Sequence, residues 1–213
     1  MTSKLRAIEE SYSRIAQSYA DHFFDELRHK PLDRALLDVF ADQVRGRGPV
    51  LDVGCGPGQT SRALVERGLP VTGLDLAPEM IAEAARRSPD IAFRTGSMLA
   101  LEDADATYAG LTAFYAIVHF DREELAQACR EFHRVLQPQG LALASFHLGG
   151  DIVHRDELFG QRVSLDFVFF ERGIVEEAFL AAGFRIEAFL ERAPYPEVEH
   201  PTQRGYVLAR KPA

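Results

Sequence analysis

Val50-Leu51-Asp52-Val53-Gly54-Cys55-Gly56-Pro57-Gly58-Gln59-Thr60 decides the fold of this 213-residue chain. A short, mostly apolar run enters three glycines at alternate positions, and Gln59 to Arg67 then reads as a helix stopped by Gly68. Strand, turn and helix make the first half of a βαβ unit. Glycines in that turn let a ligand approach the strand end and the amino end of the next helix without meeting a side chain. The pattern is G-x-G-x-G, with Gln59 where a dinucleotide fingerprint wants its last glycine. No Gly-Lys-Ser/Thr follows, so a P-loop is excluded as well.

Outward from this turn the chain alternates. Val71–Leu76, Ile91–Arg94, Leu111–Val118 and Leu141–Phe146 are apolar runs that predict strands, separated by helices near 79–87 and 122–136. The segment Gln137-Pro138-Gln139-Gly140 reads as a stop between the second of these helices and its strand. Near-continuous apolar strands between helices imply a parallel sheet covered on both faces, hence a doubly wound α/β domain. Before it, Ile8, Tyr12, Ile15 and Tyr19 share one face of a helix over 5–20, and a second helix covers 32–44. Residues 148–170 break the rhythm and predict an insert over the carboxyl edge of the sheet. A helix over 172–182, then strands 184–190 and 206–209 read as a hairpin, complete the single domain of 1–213.

Ligands of open α/β sheets sit beyond the carboxyl ends of the strands, which puts Gly54 to Gly58, Asp75, His119 and His147 at the pocket. Asp75 lies 21 residues after Gly54 at the end of the second strand, where a carboxylate accepts hydrogen bonds from both hydroxyls of a ribose. Glycine turn and acid together specify an adenosine-type ligand.

Three motifs carry a family resemblance: Val50 to Thr60, Val71-Thr72-Gly73-Leu74-Asp75-Leu76-Ala77-Pro78-Glu79-Met80, and His133-Arg134-Val135-Leu136-Gln137-Pro138-Gln139-Gly140. As a set the sequence resembles the class I S-adenosylmethionine-dependent methyltransferases, over residues 50–147. The first helix, with Tyr12 and Tyr19, is similar to the lid of the small-molecule branch. The resemblance implies a Rossmann-like, seven-stranded, mostly parallel sheet with the last strand antiparallel. It also implies residues 1–46 as a helical lid and 148–170 as a cap on the active-site cleft.

It further implies S-adenosylmethionine as cofactor and S-adenosylhomocysteine as product. Gly54, Gly56 and Gly58 would hold the methionine part, Asp52 the ammonium, and Asp75 the ribose. Leu76 and Met80 would flank the adenine, and Phe114 belongs with these cofactor residues. Gly96, Ser97 and Met98 form the loop that reads the adenine edge. Family members often carry an aspartate where this chain has Ser97, leaving a hydroxyl and a backbone amide for that task.

Methyl transfer from a sulfonium is an in-line displacement, so the protein mainly positions the reactants and removes a proton where needed. His119 and His147, ending two strands, are the candidate bases, with Tyr115 beside them facing the cleft; the plainer reading makes them strand-end residues that shape the pocket. Arg14 is a further candidate for the cleft, and His154, Asp166, Phe167 and Phe170 supply the insert's walls. No carboxylate occurs between Leu111 and Phe120, and Asp121 is the first, so no catalytic metal is expected.

With 24 Lys and Arg against 32 Asp and Glu the net charge is −8, and no run of basic residues exceeds two. Nucleic acid and acidic membranes are disfavoured as partners, and a small-molecule acceptor is expected. Two cysteines without metal spacing, and no apolar leader or membrane-length run, read as a cytoplasmic protein. The Ala- and Arg-rich composition is associated with GC-rich bacterial genomes. Two other function classes stay open at this point: a non-catalytic nucleoside-binding protein and an NAD-dependent oxidoreductase, the latter opposed by Gln59.

Overall fold

Strand β1 (Val50–Val53) is buried along its whole length, as expected of a strand with helices on both faces. The structure, a computed structural model, describes residues 2–213. In chain order they form α1 (Ser3–Phe23), a 3-10 turn (Glu26–His29), α2 (Pro31–Val44), β1, α3 (Gln59–Glu66), β2 (Val71–Asp75), α4 (Pro78–Arg87) and β3 (Ala92–Thr95). There follow β4 (Tyr108–Phe114), α5 (Arg122–Val135), β5 (Leu136–His147), β6 (Ile152–Leu158), β7 (Gln161–Val168), α6 (Arg172–Ala181), β8 (Arg185–Arg192) and β9 (Arg204–Arg210).

Seven strands make one sheet in the order β3-β2-β1-β4-β5-β9-β8. Pairs from β3 through β5 are parallel, and β9 runs antiparallel to both β5 and β8, so the last strand is the reversed one, as the motifs implied. Because side chains alternate along a strand, Leu51 and Val53 pack with α5 and α6, while Val50, Leu141 and Leu143 pack with α2 and α3.

Strand β4 lies earlier than its apolar run predicts. It ends at Phe114, and Tyr115 turns the chain with φ +52°, a left-handed conformation that costs a non-glycine residue about 1–2 kcal/mol. Ala116 to Val118 stay apolar because the turn is itself covered: Ile117 and Val118 are buried. Strand β5 begins before its predicted start, since Leu136 already pairs with Tyr108 and the Pro-Gln-Gly segment forms an irregularity within the strand.

The insert is a β-hairpin, β6 with β7. Its inward residues Val163 and Leu165 meet Ile15 and Ala16 of α1, Ala77 at the N-cap of α4 and Met80 within it, closing a small third core above the sheet. Within residues 2–46 the two helices pack differently. Helix α1 covers the cleft, whereas α2 belongs to the sheet: Leu37, Phe40, Ala41 and Val44 are fully buried against it.

Candidate active site

At the carboxyl ends of β1, β2 and β4 the glycine turn forms the floor of a cavity of about 100 Å³. Gly54 has φ +63°, and a Cβ there would lie 2.4 Å from the Cβ of Ala116 and 3.0 Å from Cε of Met98. Gly56, at φ +53°, faces open space, its nearest neighbours being Tyr19 at 3.9 Å and Gln59 at 4.0 Å. Asp75 ends β2 with Oδ2 accepting from the Gly56 N–H at 2.8 Å and Oδ1 from the Ala77 N–H at 2.9 Å. An ionised carboxyl offers about four acceptor sites, so two remain for a pair of hydroxyls. Burial raises the Asp75 pKa above its ordinary value, against the pull of the Ala77 and Gly56 amides.

Around this floor stand Leu76, Met80, Gly96, Ser97 and Met98 on one side, and Phe114, Tyr115 and His119 on another. Tyr12 and Tyr19 of α1 form the roof, packed edge to face with ring centroids 5.8 Å apart. Ser97 spends an acceptor on the Leu99 N–H at 3.2 Å, leaving its hydroxyl proton free to donate.

His119 is clasped from two directions. Its Nδ1 lies 2.7 Å from the Asp166 carbonyl of β7, and its Nε2 lies 2.8 Å from the Tyr12 hydroxyl of α1. A carbonyl only accepts, so Nδ1 carries the proton and Nε2 accepts from Tyr12. Burial, with help from Lys4, depresses the His119 pKa to about 4 against the Asp166 contribution, so the ring is neutral at pH 7. Burial and Asp75 push the Tyr12 phenol well up, so it keeps its proton.

A second cavity of about 250 Å³ opens beyond the first, and Tyr12, Tyr19, Gln59, Phe114 and Tyr115 line both. Its walls are aromatic, with Phe159 and Phe167 from the hairpin and Phe169 just after it. Its far end is polar: Lys30 contacts Glu26 at 2.5 Å and Glu199 at 3.3 Å, and Arg204 reaches in from β9.

The family model described as a methyltransferase domain matches residues 50–140, the stretch that builds the glycine turn and Asp75. The demethylmenaquinone methyltransferase of Chlorobaculum parvum is 34% identical over 148 residues, covering 66% of this chain and 60% of that protein. The malonyl-[acyl-carrier protein] O-methyltransferase of Pseudescherichia vulneris is 33% identical over 137 residues, covering 63% of this chain and 51% of that one. The chain therefore spans about half to three fifths of the length of these curated relatives. Over this stretch the chain is similar to methyltransferases.

Its fold matches the crystal structure of Burkholderia thailandensis 1,6-didemethyltoxoflavin-N1-methyltransferase with bound 1,6-didemethyltoxoflavin and S-adenosylhomocysteine. That match has TM-score 0.74 at 22% identity, over 98% of this chain and 88% of that one.

Three expected methyltransferase site residues lie elsewhere. Asp52 is 1% exposed and does not line the cavity; it accepts from Ser61 Oγ at 2.6 Å and Thr112 Oγ1 at 2.8 Å. Strand alternation puts it on the α2 and α3 face with Val50, under α3, where burial raises its pKa to about 6 despite the two hydroxyls. Gly58, the N-cap of α3 at φ +88°, turns towards Phe93, whose Cζ a Cβ would meet at 2.9 Å. Its missing side chain serves helix packing. His147 lines only the second cavity, with Nδ1 2.8 Å from Thr202 Oγ1. Burial, Arg204, His200 and Lys30 lower its pKa to about 3.

The insert's residues divide. Phe167 packs 4.8 Å from the His119 ring and lines the second cavity, whereas Phe170 is buried in the core. His154 and Asp166 pair at 2.7 Å on the hairpin surface, and Arg14 donates to the Arg162 carbonyl at 2.6 Å.

Sequence reasoning missed Gln59 as a site residue, and missed Glu26, Lys30, Glu199 and Arg204. Gln59 Oε1 is buried without a hydrogen-bond donor while its Nε2 donates to Glu26 Oε1 at 3.3 Å. The substitution of glutamine for glycine in the turn was its signal. The other four come from segments far apart in sequence with no shared motif, so nothing local pointed to them.

Proposed function

We propose that this chain transfers a methyl group from S-adenosylmethionine to a small molecule, at oxygen or nitrogen and without a metal. The observation that carries the reading is a pair of cavities that share Tyr12, Tyr19, Gln59, Phe114 and Tyr115 as lining, one holding the Gly56 and Asp75 cradle and the other walled by aromatic rings. The residues fit the cofactor. Asp75 keeps acceptors for a ribose, Leu76 and Met80 offer apolar cover for an adenine, and the orphan Gln59 Oε1 is an acceptor beside Gly56 for an ammonium.

When bound, the sulfonium supplies a methyl carbon already activated for displacement. Position and dryness are then what this chain must provide. Tyr12, Tyr19 and the hairpin roof the seam between the cavities, and Tyr115 and Phe114 form its floor. His119, neutral above about pH 4, is the base of this reading. So weak a base does not ionise an alcohol in advance. It accepts the proton of an oxygen or nitrogen that methylation has made strongly acidic, provided Tyr12 releases Nε2. His147 and Tyr115 shape the acceptor's end, and the chemistry of the donor set argues against a metal, since Asp121 caps α5 in a capping box with Glu124.

Residues 1–213 act as a single domain in this reading, α1 and the hairpin over 148–170 covering the cleft. Nucleic acid is disfavoured as acceptor by the net charge of −8. Among the described residues no helix is long and apolar enough to cross a membrane, which accords with a cytoplasmic site of action.

Calorimetric titration with S-adenosylmethionine and S-adenosylhomocysteine tests the reading, followed by transfer of a labelled methyl group across an acceptor panel. Asp75→Ala is expected to weaken product binding ten- to a hundredfold, about 1.5–3 kcal/mol for a charged hydrogen-bond acceptor. No binding at millimolar cofactor refutes the reading. Binding without transfer to any acceptor favours a non-catalytic protein.

A further inference from the structure

Among the described residues, the far end of the second cavity carries one positive charge more than the carboxylates lining it or paired to its walls. Four cations line it or are ion-paired to its walls: Lys30, Arg155, Arg192 and Arg204. Three carboxylates answer them. Glu26 holds Lys30, Asp33 holds Arg192 at 2.8 Å, and Glu199 is shared by Arg192 at 2.6 Å, Lys30 at 3.3 Å and Arg204 at 3.6 Å. Arg155 pairs with no carboxylate among the described residues; its only side-chain partner is His200, Nη2 to Nε2 at 3.5 Å.

Arg204 is 2% exposed; its Nε–H faces Glu199 Oε1 at 3.6 Å, beyond hydrogen-bond distance, while its other nitrogens donate to Thr202 and to the His200 carbonyl at 2.9 Å. His200 thus lies between two guanidinium groups. Its pKa is lowered by burial and then by Arg155 and Arg204, which accords with a positive surplus there.

The same cavity is walled by rings. His147 stands 5.4 Å from Tyr115 and 5.2 Å from Phe169, and Phe169 stands 6.3 Å from His200. Phe159, at the hairpin tip, packs 6.3 Å from Tyr19 and 6.1 Å from Phe23 across the mouth. Ring faces suit a flat, unsaturated body, and the Arg155 guanidinium, with no carboxylate partner among the described residues, suits a planar oxyanion.

Building on the methyltransferase reading, we propose that the acceptor is a flat aromatic monoanion, its carboxylate-type group held by Arg155 with Arg204 beside it and its ring lying among Tyr115, His147 and Phe169. One surplus charge matches one negative group; a phosphate dianion would leave the balance reversed.

The test titrates the full chain with 2-naphthoate, 2-naphthamide and 2-naphthylmethylammonium, each with and without S-adenosylhomocysteine, and with S-adenosylhomocysteine alone. The carboxylate is expected to bind at least tenfold tighter than the amide and tighter still than the ammonium. Arg155→Gln, on an exposed strand edge, should remove most of that preference and leave the amide and S-adenosylhomocysteine affinities unchanged. Arg204→Gln should do the same, and Arg155→Gln carries the test if the buried change prevents folding.

Equal or weaker binding of the carboxylate, or an Arg155→Gln preference identical to wild type, overturns the proposal. If S-adenosylhomocysteine binds and 2-naphthoate does not, the proposal fails while the methyltransferase reading stands. If S-adenosylhomocysteine does not bind, that reading fails, and the titrations without it still decide whether the cavity selects an anion.

Discussion

Replacing Asp52 by asparagine separates a cofactor ligand from a buried structural acid. The carboxyl lies beneath α3, and its pKa rises from 3.8 in water to about 6. Two units correspond to about 3 kcal/mol of stability at 1.36 kcal/mol per unit. The sign follows from proton binding. Below pH 3.8 the carboxyl is protonated folded and unfolded and contributes nothing. Between pH 3.8 and about 6 the unfolded chain loses the proton first, so stability falls as pH rises, and the deficit is complete above that range.

Asparagine cannot ionise, so the deficit vanishes. Its amide must donate to one of the Ser61 and Thr112 hydroxyls, and a buried N–H left unpaired returns about 1–3 kcal/mol of the gain. Asp52→Asn is therefore expected to be as stable as wild type at pH 7 or more stable, by no more than about 3 kcal/mol. In urea unfolding from pH 4 to pH 7, the fall in stability seen in wild type should shrink by a comparable amount. S-adenosylhomocysteine affinity should change less than threefold, because the carboxylate does not reach the cavity. A tenfold loss of affinity in a folded Asp52→Asn protein, or an unchanged pH dependence of stability, would show the reasoning to be wrong.

Gly54→Ala should lower the melting temperature and abolish S-adenosylhomocysteine binding, since its Cβ would stand 2.4 Å from the Ala116 Cβ at a left-handed φ; calorimetry and thermal unfolding read both. Gly68→Ala, with φ +81° and no neighbour within 4 Å, should cost only about 1 kcal/mol and leave binding intact. The His119 ring is expected to stay neutral by nitrogen NMR until the pH falls to about 4, and any methylation it assists should lose rate on the acid side at about that value, not near 6.5. Phe40→Ala should cost about 3–5 kcal/mol in urea unfolding with little change in product affinity, because Phe40 is buried between α2 and the sheet and lines neither cavity.

Much of the scaffold is legible locally. The apolar run into Gly54-Cys55-Gly56 needs only the strand and turn preferences of its own residues, and Asp75 lies at the carboxyl end of the next strand by the same alternation. The hairpin was less legible than it might have been. Val163 and Leu165 are buried, alternating with exposed Arg162, Ser164 and Asp166, a period of two hidden by the aromatic run that follows. The end of β4 was misplaced because burial, not strand pairing, keeps Ala116 to Val118 apolar.

The sequence by itself determined the βαβ order, the glycine turn and the adjoining acid, because each follows from residues within a few positions of one another. Tertiary structure alone decided which acid faces the cleft. In a sheet covered on both sides no polar alternation marks the faces, so only the docking of α3 shows that Asp52 meets Ser61 and Thr112 while Asp75 meets the cavity. It alone also assembled Lys30, Glu199 and Arg204, since contacts between distant segments depend on how the finished layers pack and leave no trace in local periodicity.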